Sequence, residues 1–257
     1  MEYARRRYIN QRKNDKMTYY YYDKVLVSNC RLRSLTDYAG KMTKDSVVQL
    51  SAQVVEPNAA VLKGCGEIVF TEDFYQVTVP EKVTYQIHKD GNLVRAYAAD
   101  LLWVEQTILG IPASILALLK GKVLLNGSLL HAGRWAYAVI GERESRIDDM
   151  YLRCGIPGRA VMVRQQEEQF VGTAHSDSAY LDCAVEALGL LGVFVLQSNE
   201  AKAAIEPMCL PELKKDSLLE SVVGYEVFSQ ELMQLADESG IIDQISRKLY
   251  MAFMRAL

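Results

Sequence analysis

Residues 129–150 read LLHAGRWAYAVIGERESRIDDM, and the parsing of that stretch decides the fold of the second half of the chain. Residues 136–140 (AYAVI) are an apolar, β-prone run ending on Gly141; a polar loop follows, and a helix-like segment opens at Asp148. Strand, loop and helix in that order is the layout of a phosphate-binding loop. A working loop needs glycines so that backbone N–H groups can turn inward onto phosphate. It also needs a Lys for the β/γ oxygens and a Ser or Thr hydroxyl for Mg²⁺. Here Gly141 is the surviving glycine. Counting from it, Glu144 and Arg146 occupy glycine positions, Ile147 the Lys position and Asp148 the hydroxyl position. Glu142, Glu144, Asp148 and Asp149 repel a triphosphate, and Arg143 and Arg146 offset them only in part. What is left of a phosphate loop is Gly141, Arg143, Ser145 and Arg146.

The composition narrows the classes around that motif. At 257 residues, half hydrophobic and a quarter charged, the chain has ample material for a packed core. Its formal charge of −3 gives no global reason to expect nucleic-acid binding. The five cysteines (Cys30, Cys65, Cys154, Cys183, Cys209) are scattered and form no CxxC or Cys/His cluster. They read as buried free thiols of a cytoplasmic protein, not as a zinc site or a disulfide framework. Arg5, Arg6, Arg7, Arg12, Lys13 and Lys16 make the start basic, but no apolar segment follows to complete a secretory signal. Residues 1–16 are expected to be a disordered basic leader. The longest apolar run, residues 98–119, is interrupted by Asp100, Glu105, Gly110 and Pro112, which predicts a pair of core helices and no membrane anchor.

Residues 17–97 read as strands. Segments 22–28, 47–54, 67–71, 74–79, 83–88 and 93–97 are β-rich, and Asp90-Gly91 between the last two is a strong hairpin signal. The expectation is a small antiparallel layer. Helical periodicity follows in 100–109 and 111–119. Next come short strands at 123–125 or 129–131, then 136–140, 160–164, 170–173 and 190–197. Residues 212–223, 229–239 and 243–256 read as helices, with Gly240 and an Asp243 cap dividing the last two. The sum is an α+β protein with a β-rich region at 17–125 and a second region at 126–257.

The order of landmarks resembles one family. Asp90-Gly91-Asn92 leading to Val94-Arg95, a helical pair, Leu129-Leu130-His131-Ala132-Gly133 and Tyr137-Ala138-Val139-Ile140-Gly141 come first. Val193-Phe194-Val195-Leu196-Gln197, Ile205-Glu206-Pro207-Met208 and a helical tail follow. Together they are similar to the HPr-kinase-like P-loop proteins, the small members encoded beside ribosomally made peptides. The resemblance covers nearly the whole chain after Met17. It implies an antiparallel β-rich N-terminal layer and a P-loop kinase-like (HPr-kinase/PEP-carboxykinase-like) α/β core with a helical tail. It also implies Mg-ATP-dependent phosphorylation of a Ser hydroxyl or a peptide terminus. The departures count as much. The loop Lys and hydroxyl are missing. Where the family carries a paired aspartate, residues 159–165 (RAVMVRQ) hold no acid before Glu167. Phosphoryl transfer rests on those charges.

Other candidates weaken against plainer readings. His131 is a weak general-base candidate that reads more simply as a residue packed beside the phosphate-loop strand. Asp148, a weak catalytic or metal candidate with Asp149, reads more simply as a helix cap. His175, with Ser176 and Asp177 in one loop, lacks the nucleophile elbow of a hydrolase. The Tyr19-Tyr20-Tyr21-Tyr22 run reads as an exposed strand start, with an aromatic edge open to a partner strand. The expectation is therefore a catalytically degenerate HPr-kinase-like protein that binds a peptide or protein, needs no cofactor, and engages neither nucleic acid nor membrane. The enzyme alternative is a divergent kinase using ATP and Mg²⁺, with Arg143 or Arg146 in place of Lys. A third reading is a structural subunit of an enzyme complex.

Overall fold

The computed structural model describes residues 16–33, 35, 37–38, 40–42, 47–64, 68–132, 135–141, 155–156, 160–167, 169–174, 188–196 and 215–247. The leader, the segment opening at Asp148, and Cys65, Cys154, Cys183 and Cys209 lie outside them.

The first sheet has seven strands: β1 (Met17–Tyr21), β2 (Lys24–Ser28), β3 (Val47–Val54), β4 (Ile68–Phe70), β5 (Phe74–Val79), β6 (Val83–His88) and β7 (Leu93–Ala98). Their order is β1-β2-β3-β7-β6-β5-β4. The expected wholly antiparallel layer is corrected here, because β3 runs parallel to both β2 and β7. Residues 29–46 supply the crossover length that a parallel pair requires, and β3 reaches β7 only after β4, β5 and β6 have been laid beside it. The Asp90-Gly91 hairpin forms as expected, with Ile87 opposite Val94. The Asp90 carboxylate accepts the Asn92 N–H at 2.9 Å, and that bond is the main cause holding its pKa below the ordinary carboxylate value.

The tyrosine run is also corrected. Tyr19, Tyr21 and Tyr22 are buried. Each hydroxyl meets a backbone partner: Tyr21 donates to Ile108 O (2.8 Å), Tyr22 to Leu109 O (3.0 Å), and Tyr19 accepts the Leu32 N–H (2.9 Å). A Tyr goes inside at little cost when its O–H is so satisfied. Tyr21 pairs with Lys24, so Tyr22 and Asp23 alone make the β1–β2 turn, and Tyr22 takes a left-handed φ of 54°.

Two helices follow, α1 (Leu101–Thr107), capped by the Asp100 carboxylate on the Leu102 N–H, and α2 (Ile111–Leu118). Every residue of α2 from Pro112 to Leu118 is buried, as befits a helix apolar on all sides. It packs on β6 of the first sheet and on the first strand of the second. Among the described residues no single helix is long and apolar enough to cross a membrane; α1 and α2 meet that test only as a pair bent by 53°.

The second sheet comprises β8 (Lys122–Ala132), β9 (Trp135–Gly141), β10 (Gly155–Ile156), β11 (Ala160–Gln166), β12 (Gln169–Ala174) and β13 (Leu188–Leu196). Where the sequence offered two alternative short strands, one strand of 11 residues, β8, runs unbroken through residues 125 and 126. It pairs with β11 over Lys122 to Asn126 and with β9 over Gly127 to Ala132. The ladder therefore closes on itself as a barrel, β8-β11-β12-β13-β9-β8, antiparallel except at β9–β13. Register partners lead from Ala132 through Trp135, Gly189, Val171 and Arg164 back to Lys122, ten positions earlier on β8. That stagger is the shear that lets a tilted sheet close.

Helices α3 (Lys215–Glu220), α4 (Tyr225–Ser239) and a further helix through residues 241–247 are the last of the described elements. Gly240 ends α4 as expected. Asp243 is not the cap of the next helix: Ile241 N–H donates to Ser239 Oγ (3.3 Å) and Gln244 N–H to Gly240 O (3.1 Å), which starts that helix directly after Gly240. The architecture is thus a mixed α+β protein whose two mixed sheets share one hydrophobic core.

Candidate functional site

The strand that precedes the expected phosphate loop lies between two partners. Ala136, Ala138 and Ile140 of β9 are fully buried. β8 runs antiparallel on one side and β13 parallel on the other, with Gly141 beside Leu196. Gly141 and Leu196 are thus neighbouring carboxyl ends of the parallel pair β9–β13 in an otherwise antiparallel barrel.

Why β9 ends at Gly141 is a matter of occupied hydrogen bonds. The β8 edge beyond that point is taken by residues 221–223: Asn126 N–H donates to Ser221 O (2.7 Å) and Val223 N–H to Leu124 O (3.0 Å). Ser114 of α2 fastens that segment by donating to Val223 O at 2.7 Å. The β8 edge beyond Gly141 is therefore already occupied.

Of the residues expected at the loop, Gly141 stands at the end of β9, while Arg143, Ser145, Arg146 and Asp148 lie outside the described residues, as does His175. His131 is placed elsewhere. Its register partner is Ala136, five positions before Gly141 on β9. At the rise of a strand that is roughly 16 Å along β9 from Gly141. Among the described residues no group of three or more His, Cys, Asp or Glu side chains is placed to hold a metal ion.

A second constellation was not foreseen. Asp23, on the tight β1–β2 turn, has a side chain only 6% exposed, and its Oδ2 pairs with Lys122 Nζ and with Arg164 Nη1, the latter at 2.8 Å. Lys122 and Arg164 are cross-strand partners on β8 and β11. Arg164 Nε is buried and has no hydrogen-bond partner. Beside Asp23 and Lys122 lies a small groove whose charged lining is Asp23, Lys24, Lys120 and Lys122, with the Ala113, Leu116 and Ala117 face of α2 and Met162 as its apolar lining. The only sequence signal for it was a cation at one end of each of two apolar runs, Lys122 before VLL and Arg164 after AVMV. Nothing local linked either to Asp23.

The buried polar groups of the first sheet serve structure. Cys30 is buried, with Ser28 Oγ 3.3 Å from its sulfur, and burial pushes its thiol pKa up, away from the thiolate a nucleophile requires. Tyr85 lies 2.7 Å from Thr107 Oγ1 in the core under α1.

Compared with known protein families, with curated proteins and with solved structures, the chain matches none.

Proposed function

We propose that this chain is a catalytically degenerate HPr-kinase-like protein that acts by binding a peptide or protein in a peptide-modification or regulatory system of the cytoplasm. The observation that supports this reading is local: a buried strand ends at Gly141 beside its parallel neighbour, Gly141 against Leu196, the strand-then-glycine order with which a P-loop begins. The residues after Gly141 do not fit Mg-ATP. Ile147 offers no charge where a Lys belongs, Asp148 no neutral hydroxyl, and Glu142 and Glu144 add negative charge where phosphates would sit. A scaffold suited to phosphates but chemically closed to them is what a binding protein descended from a kinase would keep. No nucleotide or metal cofactor is expected.

The test is calorimetric titration of the full chain with ATP and with GTP, with and without Mg²⁺. The degenerate reading expects no heat of binding at millimolar nucleotide, and an Ile147→Lys variant that behaves like the parent. Micromolar, Mg²⁺-dependent binding that Arg146→Ala abolishes would replace it with a divergent kinase. Neither binding nor a stable isolated protein would favour a structural subunit of an enzyme complex.

A further inference from the structure

We propose that the Asn29 side chain stands in for a missing strand and closes the overhanging end of β3 to strand addition by a second copy of the chain. Neighbouring strands differ in length here. β2 covers β3 only as far as Leu50, the partner of Ser28. β3 continues to Val54, with β7 beside it on the other flank as far as Ala98. In a parallel pair, successive residues turn their backbone groups to opposite neighbours. Gln49 and Val55 donate to Asn92 O and Ala98 O on the β7 side (2.8 and 2.9 Å), while Leu50 O accepts the Asn29 N–H on the β2 side at 3.3 Å. Ala52 and Val54, of the same parity as Leu50, therefore address the flank that β2 has already left.

At that flank a single side chain completes the ladder. The chain turns away after Asn29, with the Cys30 N–H donating to Ser28 Oγ at 3.1 Å. Asn29 Oδ1 accepts the Ala52 N–H at 2.8 Å, and its Nδ2 donates to Ala52 O at 3.0 Å. A carboxamide carries the donor and the acceptor of a peptide group, so one side chain adds a rung to the ladder without adding backbone. The rung blocks the place where an incoming strand would begin. Beyond it Val54 is 56% exposed, and an unpaired strand end carrying an exposed apolar side chain is a template for another chain. The outer side of β1 is closed by comparable means: the Tyr38 N–H donates to Thr18 O (2.9 Å) and Thr18 Oγ1 to Tyr38 O (3.3 Å). The occupant excluded at β3 is a second copy, since every copy brings the same overhang and two such ends can pair about a twofold axis.

The experiment is sedimentation velocity on the full chain over a range of concentrations, comparing the parent with Asn29→Leu, which removes both side-chain bonds. Asn29→Leu is expected to associate more tightly than the parent by about tenfold, the equivalent of one backbone hydrogen bond gained between copies. Val54→Lys placed in the Asn29→Leu background is expected to return association to the parent's level, because a charge at the exposed strand end opposes pairing and leaves the core untouched. Asn29→Ala replaces Asn29→Leu where the latter does not fold, with far-ultraviolet circular dichroism as the check. Association unchanged from the parent overturns the proposal. So does extra association that Val54→Lys leaves in place, which would trace it to unfolding and not to the β3 end.

Discussion

Lys122 and Arg164 sit opposite each other on adjacent strands and are held there by one carboxylate, that of Asp23, from the other sheet. The contact ties the first hairpin of the chain to the barrel across 99 residues to Lys122 and 141 to Arg164. Removing the carboxylate leaves two half-buried cations facing each other. Asp23→Ala is expected to cost about 3 kcal/mol, the low end of the range for breaking a buried pair, since both cations are partly exposed. Lys122→Met added to Asp23→Ala should recover part of the loss, since the repulsion goes with the charge. Urea melts of the two single variants and the double variant decide it. An additive cycle would mean the three side chains do not act together.

Tyr21 and Tyr85 predict an alkaline limit to stability. Burial is the chief cause raising both phenol pKa values above the ordinary value, that of Tyr21 strongly. In the unfolded chain they ionise near pH 10, while the folded chain holds their protons. Their contribution is therefore complete below about pH 10 and falls as pH rises beyond it, because the unfolded state then binds fewer protons. Unfolding free energies at pH 8 and at pH 11 should differ, and Tyr21→Phe should reduce that difference. At pH 8 the same variant should lose about 1 kcal/mol, because Ile108 O is left without its donor.

Gly224 lies just before α4 with a φ of 90°, and a Cβ built there falls 1.5 Å from Ile111 Cδ1. Ile111 begins the buried helix α2, whose Pro112-to-Leu118 stretch cannot shift without disturbing both sheets. Gly224→Ala combines backbone strain with overpacking and is expected to cost about 2–4 kcal/mol. Thermal melts check it. A midpoint unchanged from the parent would mean that the α2–α4 approach is looser than described.

Cys30 should resist alkylation in the folded protein. Its sulfur is buried and burial favours the thiol over the thiolate. Iodoacetamide labelling followed by peptide mass analysis should modify Cys30 only once denaturant passes the unfolding midpoint. Labelling without denaturant would place a local opening of β2 below global unfolding in energy.

Local signals carried well where they were chemically distinctive. Asp90-Gly91 announced its hairpin, Gly110 and Pro112 the break between α1 and α2, and the apolar run of residues 136–140 its strand, because each rests on neighbours in sequence. The Tyr22–Asp23 turn escaped notice, since it uses Tyr at a left-handed position where Gly or Asn is usual; packing and the Leu109 bond offset the strain. The parallel placement of β3 escaped too, because strand direction is set by the route of residues 29–46 and not by the pattern of 47–54. β8 read as fragments because Asn126-Gly127-Ser128 resembles a turn, whereas in the fold it marks the place where one strand changes partners. The Asp23 groove was illegible for a simpler reason: its three charges come from three distant strand ends, and only the closed barrel brings them together.

The closed barrel also sets an order on synthesis. β9 obtains its second neighbour only when residues 188–196 have emerged from the ribosome, long after Trp135–Gly141 has been made. During that interval the nascent chain carries a paired β8–β9 ribbon with one apolar edge unsealed, the kind of surface that recruits other chains. Fragments that stop short of β13 should accordingly collect in inclusion bodies, while the full chain, able to close its own seam, should not.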